Sequence, residues 1–399
     1  MSGLRRRRFV FGCCGCLALG ALGSRSLAAE RWSPPARFAR PEEASDEGGL
    51  WALMDREEER LKRSAFVIRD KALNEYVTAL ACRLAGDHCP DVRVYLVRTP
   101  QFNASMAPNG MMQVWSGLLL RAANEAQLAT VLAHEIGHYY ARHSLQQLRD
   151  VKTRAAWAQF ADLVISRSRF SSLGNVTQLG IVASMFAYTR EHEREADRIG
   201  LDLMTRAGYA PGEAAKVWAQ LLEEIRGDKA SKDEYASQSI LFATHPPIEE
   251  REETLAAQAK ELARPEATNL GVASYRSALA GHRAAFLEDE VRRRRYGESL
   301  VLFERMQKNS GGDGEIEFFR GEVHRMRNEK GDLELALKAY RQAESLPGVP
   351  AETFRSEGLV LRQLKQDQVS RAAFRRYLEL KPAAEDAELV RGYFQAESK

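Results

Sequence analysis

The chain has 399 residues, with 58 basic and 55 acidic side chains and a formal net charge of +3 at pH 7. Five arginines and no acidic residue lie in residues 1–29, so the other 370 residues hold 53 basic against 55 acidic side chains. Such a balanced chain lacks the electrostatic signature of a nucleic-acid-binding protein. Its length leaves room for more than one domain.

The first 29 residues have the three parts of an export signal. Arg5–Arg8 precede an apolar run over residues 9–22, and residues 26–29 supply small side chains for cleavage near Ala28/Ala29. The apolar run is short for a membrane span, although a retained anchor is the alternative. Residues 6–11 also resemble a twin-arginine signal, so Tat and Sec export both stay open. We expect a periplasmic protein without a transmembrane span after processing.

Cys82 and Cys89 follow the signal in the chain. They lie between a predicted helix, Asp70 to about Leu84, and a predicted strand over residues 92–97. In an oxidising compartment we expect a local disulfide between them, with two free thiols as the alternative.

The string His134-Glu-Ile-Gly-His138 follows a stretch that predicts a helix. Asn124 is a good N-cap, Gln127 takes the capping-box position, and apolar residues recur at helical spacing. On one helical face, both imidazoles can hold a Zn²⁺ ion while Glu135 is placed to activate a water molecule. This pattern indicates hydrolysis, most often of a peptide bond. A chance match with solvated or core histidines is the alternative.

A zinc hydrolase needs a third protein ligand. His143 lies nine residues past His134, about half a turn round the helix, so we expect a surface histidine that points away from the metal. Residues 188–200 predict a second helix, which Gly208 and Pro211 would end. Its candidate ligands are Glu191, His192, Glu193 and Glu195.

Glu193 has one advantage among these candidates. Asp197 lies four residues on, on the same helical face, where its carboxylate could fix the tautomer of a ligand histidine. The alternative is that the charged cluster is a solvated helix face.

Four segments together resemble the M48 family of zinc metallopeptidases. Residues 134–138 match its HExxH motif and residues 193–197 its E-x-x-A-D helix. Residues 103–110 resemble its edge-strand segment, and residues 244–251 its T-H-P-P-x-x-x-R segment. The matches keep the family order.

The resemblance implies roles for particular residues. His134, His138 and Glu193 would bind one Zn²⁺, Glu135 would be the catalytic base, and Asp197 would support a histidine. His245 could cap the open metal position or only shape a turn, and Arg251 could polarise the substrate carbonyl or form a surface salt bridge. The edge strand near residues 103–115, including Asn103 and Met106, would bind the extended substrate.

The implied fold class is α+β. We expect a mostly helical zincin-like (gluzincin) metallopeptidase domain with a small sheet over residues 48–265. No long apolar span occurs there. Residues 170–188 are moderately apolar and could form a lid over the cleft or an ordinary buried helix.

The last part of the chain, residues 285–390, changes to charged amphipathic helices. Phe303, Tyr340 and Phe374 recur at intervals of 37 and 34 residues, and Gly358 matches a small position of the TPR repeat. This pattern resembles a degenerate TPR array, whose concave groove would bind protein partners. An unrelated helical bundle is the alternative.

A peptidase domain, an export signal and a TPR-like array resemble the periplasmic, TPR-bearing group of M48 proteases. This implies cleavage of misfolded or stalled envelope and outer-membrane proteins, with the TPR array docking on substrates or on the outer-membrane assembly machinery. The alternative is a capped, latent protease that acts mainly as a periplasmic chaperone or scaffold.

Overall fold

The computed structural model describes residues 32–150, 188–227 and 248–395. Residues from Pro35 onward group into one unit, whereas the first unit, Met1–Pro34, is described only over its last three residues. The export signal, most of the 170–188 segment and His245 therefore lie outside the described residues.

A small sheet follows two helices, α1 (Asp46–Arg63) and α2 (Lys71–Ala85). Its strands are β1 (Arg93–Val97), β2 (Ala104–Met106) and β3 (Met111–Trp115), in the order β1-β3-β2. β3 is parallel to β1 and antiparallel to β2. Within the predicted 103–115 segment, β2 is thus the edge strand and β3 the central one.

The peptidase helices continue from the sheet. They are α3 (Ser116–Arg121), α4 (Glu125–Tyr140), α5 (His143–Asp150), α6 (Arg190–Arg206), α7 (Glu213–Gly227) and α8 (Ile248–Leu262). α4 packs on both α6 and α7, and α8 packs on both of these as well. The core around α4 is fully buried, with all 16 of its residues inaccessible or nearly so.

The C-terminal region is helical throughout its described length. Its helices are α9 (Val272–Leu279), α10 (Arg283–Arg292), α11 (Tyr296–Ser310), α12 (Gly314–Arg327), α13 (Asp332–Glu344), α14 (Glu352–Gln363), α15 (Asp367–Leu380) and α16 (Ala387–Gln395). α12 packs on α13, and α14 packs on α15. The α+β class, with a mostly helical peptidase region, a small sheet and a helical C-terminal region, is confirmed.

The recurring aromatic residues of this region face its interior. Phe303, Tyr340 and Phe374 are buried. A Cβ added at Gly358 would lie 2.6 Å from the Phe374 ring, so a small residue is needed where α14 crosses α15. Helix pairs of this kind fit the predicted TPR-like packing, which stays a prediction.

Three local predictions from the sequence are confirmed. Asp70 caps α2 by accepting a hydrogen bond from the Leu73 amide, and the predicted strand is β1. Cys82 of α2 and Cys89 of the short 3₁₀ helix that follows it, Gly86–Asp91, form a disulfide. None of the described helices is long and apolar enough to cross a membrane.

Candidate metal centre

α4 places the two histidines of the motif on one face, as predicted. The Asn124 side chain accepts a hydrogen bond from the Gln127 amide, and the Gln127 side chain accepts one from the Ala123 amide. These bonds satisfy backbone donors at the start of the helix. His134 and His138 then lie one turn apart, and their Nε2 atoms are 3.1 Å from each other.

A close crossing of α4 and α6 brings the third residue to them. A Cβ added at Gly137 would lie 2.8 Å from the Ala196 carbonyl oxygen, and one added at Gly200 would lie 2.8 Å from the His134 backbone nitrogen. Only glycine fits such contacts between two helix backbones. The crossing sets Glu193 of α6 against both histidines.

The three side chains present donor atoms to one point. A Glu193 oxygen lies 3.3 Å from His138 Nε2, and its other oxygen lies 3.6 Å from His134 Nε2. Zinc bonds of about 2.0–2.1 Å would place neighbouring atoms of a tetrahedron about 3.3 Å apart. The set is buried, with all three donors within 4.8 Å of one another, and therefore fits a small divalent metal ion.

Asp197 supports His134, as its spacing from Glu193 suggested. Its Oδ1 lies 2.9 Å from His134 Nδ1, so the other ring nitrogen, Nε2, is the one turned to the ligand set. Burial raises the pKa of Asp197, but the Arg251 guanidinium and His134 outweigh this and hold it below its usual range. The carboxylate is therefore charged and accepts the imidazole N–H.

Arg251 is not at the surface, so the surface salt bridge considered from the sequence is wrong. Arg251 is 5% exposed, because α8, which carries it, packs on α6 and α7. Its guanidinium donates to both Asp197 oxygens, at 2.9 and 2.5 Å, and lies 3.2 Å from a Glu193 oxygen. The Trp218 ring covers it at 3.7 Å, a cation–π contact. Arg251 thus bridges a candidate ligand and its supporting carboxylate.

The predicted surface position of His143 is also wrong, although its exclusion from the ligand set stands. The side chain is 0% exposed, and its Nδ1 lies 2.8 Å from His138 Nδ1. α4 ends at Tyr140, and Arg142, with a φ of 55°, reverses the chain before α5 begins. The prediction failed because it continued one straight helix through this break.

Tyr188 contacts a candidate ligand, although the sequence reasoning gave it no role in the site. Tyr188 stacks on the His138 ring at 3.9 Å, and its hydroxyl lies 3.0 Å from Ser144 Oγ. Burial raises the pKa of Tyr188 above its usual range, so the phenol is neutral. Tyr188 lies at the end of an apolar segment, but the apolar pattern alone does not predict that the ring stacks on His138.

Glu135 and the predicted substrate-strand residues are buried as well. Glu135 is buried in α4, next to the first ligand. Asn103 and Met106, the predicted substrate-strand residues, are buried at 2% and 4% exposure. Within the described part of the chain, Asn103 Oδ1 has no hydrogen-bond partner, which is a costly state for a buried carbonyl oxygen.

Comparison with known proteins gives a family. Residues 68–259 match the model of Peptidase family M48. The beta-barrel assembly-enhancing protease of Escherichia coli (strain K12) is 28% identical over 202 residues, which are 48% of this chain and 40% of the relative. A Vibrio cholerae chain provisionally given the same name is 32% identical over 201 residues, again 48% of this chain and 40% of the relative.

A mitochondrial relative also matches. The metalloendopeptidase OMA1 of Arabidopsis thaliana is 33% identical over 163 residues, or 41% of this chain and 30% of the relative. The chain thus spans less than half the length of the curated relatives it matches. The part of the chain that is similar to Peptidase family M48, residues 68–259, is also the part that holds the His134–His138–Glu193 group.

Proposed function

We propose that this chain is an exported, zinc-dependent endopeptidase that cleaves misfolded or stalled envelope and outer-membrane proteins. The observation that carries the proposal is the convergence of His134, His138 and Glu193, with Glu135 beside them on α4. Two imidazoles and a carboxylate form the ligand set of catalytic zinc sites that keep one position open. The names of the relatives support an envelope protease.

Each residue of the centre has a chemical task. A bound Zn²⁺ would acidify a water molecule and polarise the scissile carbonyl. Glu135 takes the proton of the attacking water and passes it to the leaving amine. Asp197 and Arg251 hold His134 and Glu193 in place through the bonds described above.

The edge strand β2 is the proposed substrate-binding element. An extended peptide could pair through backbone hydrogen bonds with the edge of β2 that is open in the described sheet. Asn103 Oδ1, which has no partner among the described residues, is an acceptor that a substrate N–H could satisfy. Met106 would line the floor beside it.

We assign three parts to the chain: an export signal at 1–29, the peptidase domain at 48–265 and a TPR-like array at 285–390. The signal supports a periplasmic location. The array supports docking of protein substrates or of the outer-membrane assembly machinery, because stacked helix pairs form a concave binding surface. The Gly358–Phe374 crossing supports the TPR assignment.

A latent scaffold is the less favoured function, because the candidate ligands, base and supporting carboxylate are all in place. A capped resting site would depend on His245, for which a metal cap and a turn-shaping role both stay predictions. If it caps the open metal position, His245→Ala will raise the rate of peptide cleavage. An unchanged or lower rate contradicts the cap.

The proposed function is tested by metal analysis and digestion together. The processed chain is incubated with an unfolded outer-membrane protein, with and without a chelator, and with zinc added back. We expect bound zinc, cleavage that stops on chelation, and recovery when zinc returns. Cleavage that persists without metal would contradict the proposal.

A further inference from the structure

We propose that His143 is a positioning residue for the metal centre. It accepts the Nδ1–H of His138 and is itself held by Glu195, so that His138 turns Nε2 to the metal. This inference rests on the metal-binding part of the proposed function. It assigns a task to a buried histidine that lies outside the ligand set.

The hydrogen-bond directions follow from the distances. His138 Nε2 lies with the other candidate ligand atoms, so it must carry the free lone pair, and the ring proton must then sit on Nδ1. That proton points to His143 Nδ1, 2.8 Å away, which can only accept it with its own lone pair. The proton of His143 is thereby placed on Nε2, 3.3 Å from Glu195 Oε2.

The surroundings of His143 hold its ring in one orientation. The ring is fully buried. The His192 ring stacks on it at 4.2 Å, while Tyr188 stacks on His138 at 3.9 Å. These contacts fix both ring planes, so the bond between the two Nδ1 atoms is geometrically constrained.

The two ligand histidines are consequently supported in different ways. His134 donates to the carboxylate of Asp197, at 2.9 Å. His138 donates to a neutral imidazole, and the carboxylate of Glu195 stands one residue further out, at 46% side-chain exposure. Partners that orient ligand histidines typically contribute 10–100-fold to metal affinity.

The test measures zinc affinity of the metal-free full chain by competition with a chromophoric chelator, so that cleavage is not needed as a readout. His143→Phe keeps a ring but removes the acceptor, and we expect zinc binding about 10–100-fold weaker. His143→Gln keeps a carbonyl acceptor and should recover part of the affinity. Glu195→Ala should weaken binding less than His143→Phe does.

His282→Phe is the control. It alters a histidine ring that stacks on Phe286, outside the metal centre. Its zinc affinity should equal that of the wild type. Thermal unfolding of every metal-free variant shows whether it is folded, and Glu195→Ala and His143→Gln carry the test if His143→Phe does not fold.

The outcomes separate this inference from the proposed function. Wild-type affinity in folded His143→Phe, or in both other variants, would overturn the inference. Binding abolished as completely as in Glu193→Gln would overturn it too, because His143 would then act as a ligand. If the wild type binds no zinc, the proposed function itself fails.

Discussion

Among the regions of the described chain that hold buried charges, the metal centre and the junction of the peptidase and C-terminal regions arrange them differently. In the metal centre, His134, His138 and Glu193 turn their donor atoms toward one point. At the junction of the peptidase and C-terminal regions, the Arg121 guanidinium instead faces two carboxylates directly. The Arg121 Nε atom lies 2.7 Å from a Glu224 oxygen, and its Nη2 atom lies 2.9 Å from a Glu290 oxygen.

The junction cluster is extended by further pairs of the same kind. Arg305 also pairs with Glu224, and Arg293 lies 2.7 Å from Glu290. α7 carries residues of both regions, since Trp218 covers Arg251 and Glu224 joins the junction. Oppositely charged side chains that face each other hold helices together, whereas imidazole and carboxylate groups that converge on one point form a site for a cation.

The largest expected effect is at the centre. Glu193→Gln removes an anionic ligand, so we expect zinc affinity to fall by more than the roughly 100-fold limit typical of outer partners. Competition with a chelator measures this. Glu191→Gln, an exposed residue of the same helix, is the control and should bind zinc as the wild type does. Equal zinc affinity of Glu193→Gln and Glu191→Gln would contradict the assignment of the centre as a metal site.

The junction should respond in stability instead. Arg121→Met leaves two buried carboxylates with less compensation, and breaking a buried pair in this way costs about 3–5 kcal/mol. Denaturant unfolding of the metal-free chain measures the loss, while zinc affinity should not change. A variant as stable as the wild type would show that Arg121 does not hold the junction.

A smaller loss is expected at the crossing of α14 and α15. Gly358→Ala places a methyl group against the Phe374 ring, and overpacking of this kind costs about 1–3 kcal/mol. Gly392→Ala is the matched control, because no atom of the described residues lies within 4 Å of its added Cβ. Thermal unfolding compares them, and equal midpoints would contradict the tight crossing.

The weakest expected effect concerns an exposed pair. Arg292 lies 2.5 Å from Glu288, but their side chains are 66% and 48% exposed. Arg292→Met should change stability by less than about 1 kcal/mol, since solvent screens such pairs. A loss of stability as large as that of Arg121→Met would show that burial does not explain the difference between the two ion pairs.

The junction should also lose stability as the pH falls into the acid range, because Glu290 is then protonated. Burial raises the pKa of Glu290, but Arg121 and Arg293 outweigh it and lower the pKa to about 2. A carboxyl whose folded pKa is depressed stabilises the fold above its unfolded pKa, near 4.5, and loses this as pH falls toward 2. Between those pH values, a plot of unfolding free energy against pH should be flatter for Arg121→Met than for the wild type. Parallel plots would contradict the pairing of Arg121 with Glu290.

The sequence predicted the features that depend on local spacing. His134 and His138 share a face because they are four residues apart on a capped helix, and Asp197 follows Glu193 by the same interval. Choosing Glu193 from several neighbours required the family resemblance, since the crossing of α4 and α6 is a tertiary contact.

The features it missed depend on chain reversal and non-local packing. The turn before His143 occurs at Arg142, and neither glycine nor proline marks it. Arg251 is buried because α8 returns onto α6 and α7, which its charged sequence does not indicate. The pairing of Arg121 with Glu290 joins residues 169 positions apart and has no local signal.

We propose that the centre on α4 and α6 makes this chain a metal-dependent peptidase with Glu135 as its base. The most direct test compares the wild type with Glu135→Gln for zinc content and for cleavage of the same unfolded protein. We predict equal zinc and cleavage slower by about 10²–10⁴-fold, the usual contribution of a general base. Cleavage at the wild-type level in Glu135→Gln would contradict Glu135 as the base, and full biological activity without cleavage would favour the scaffold.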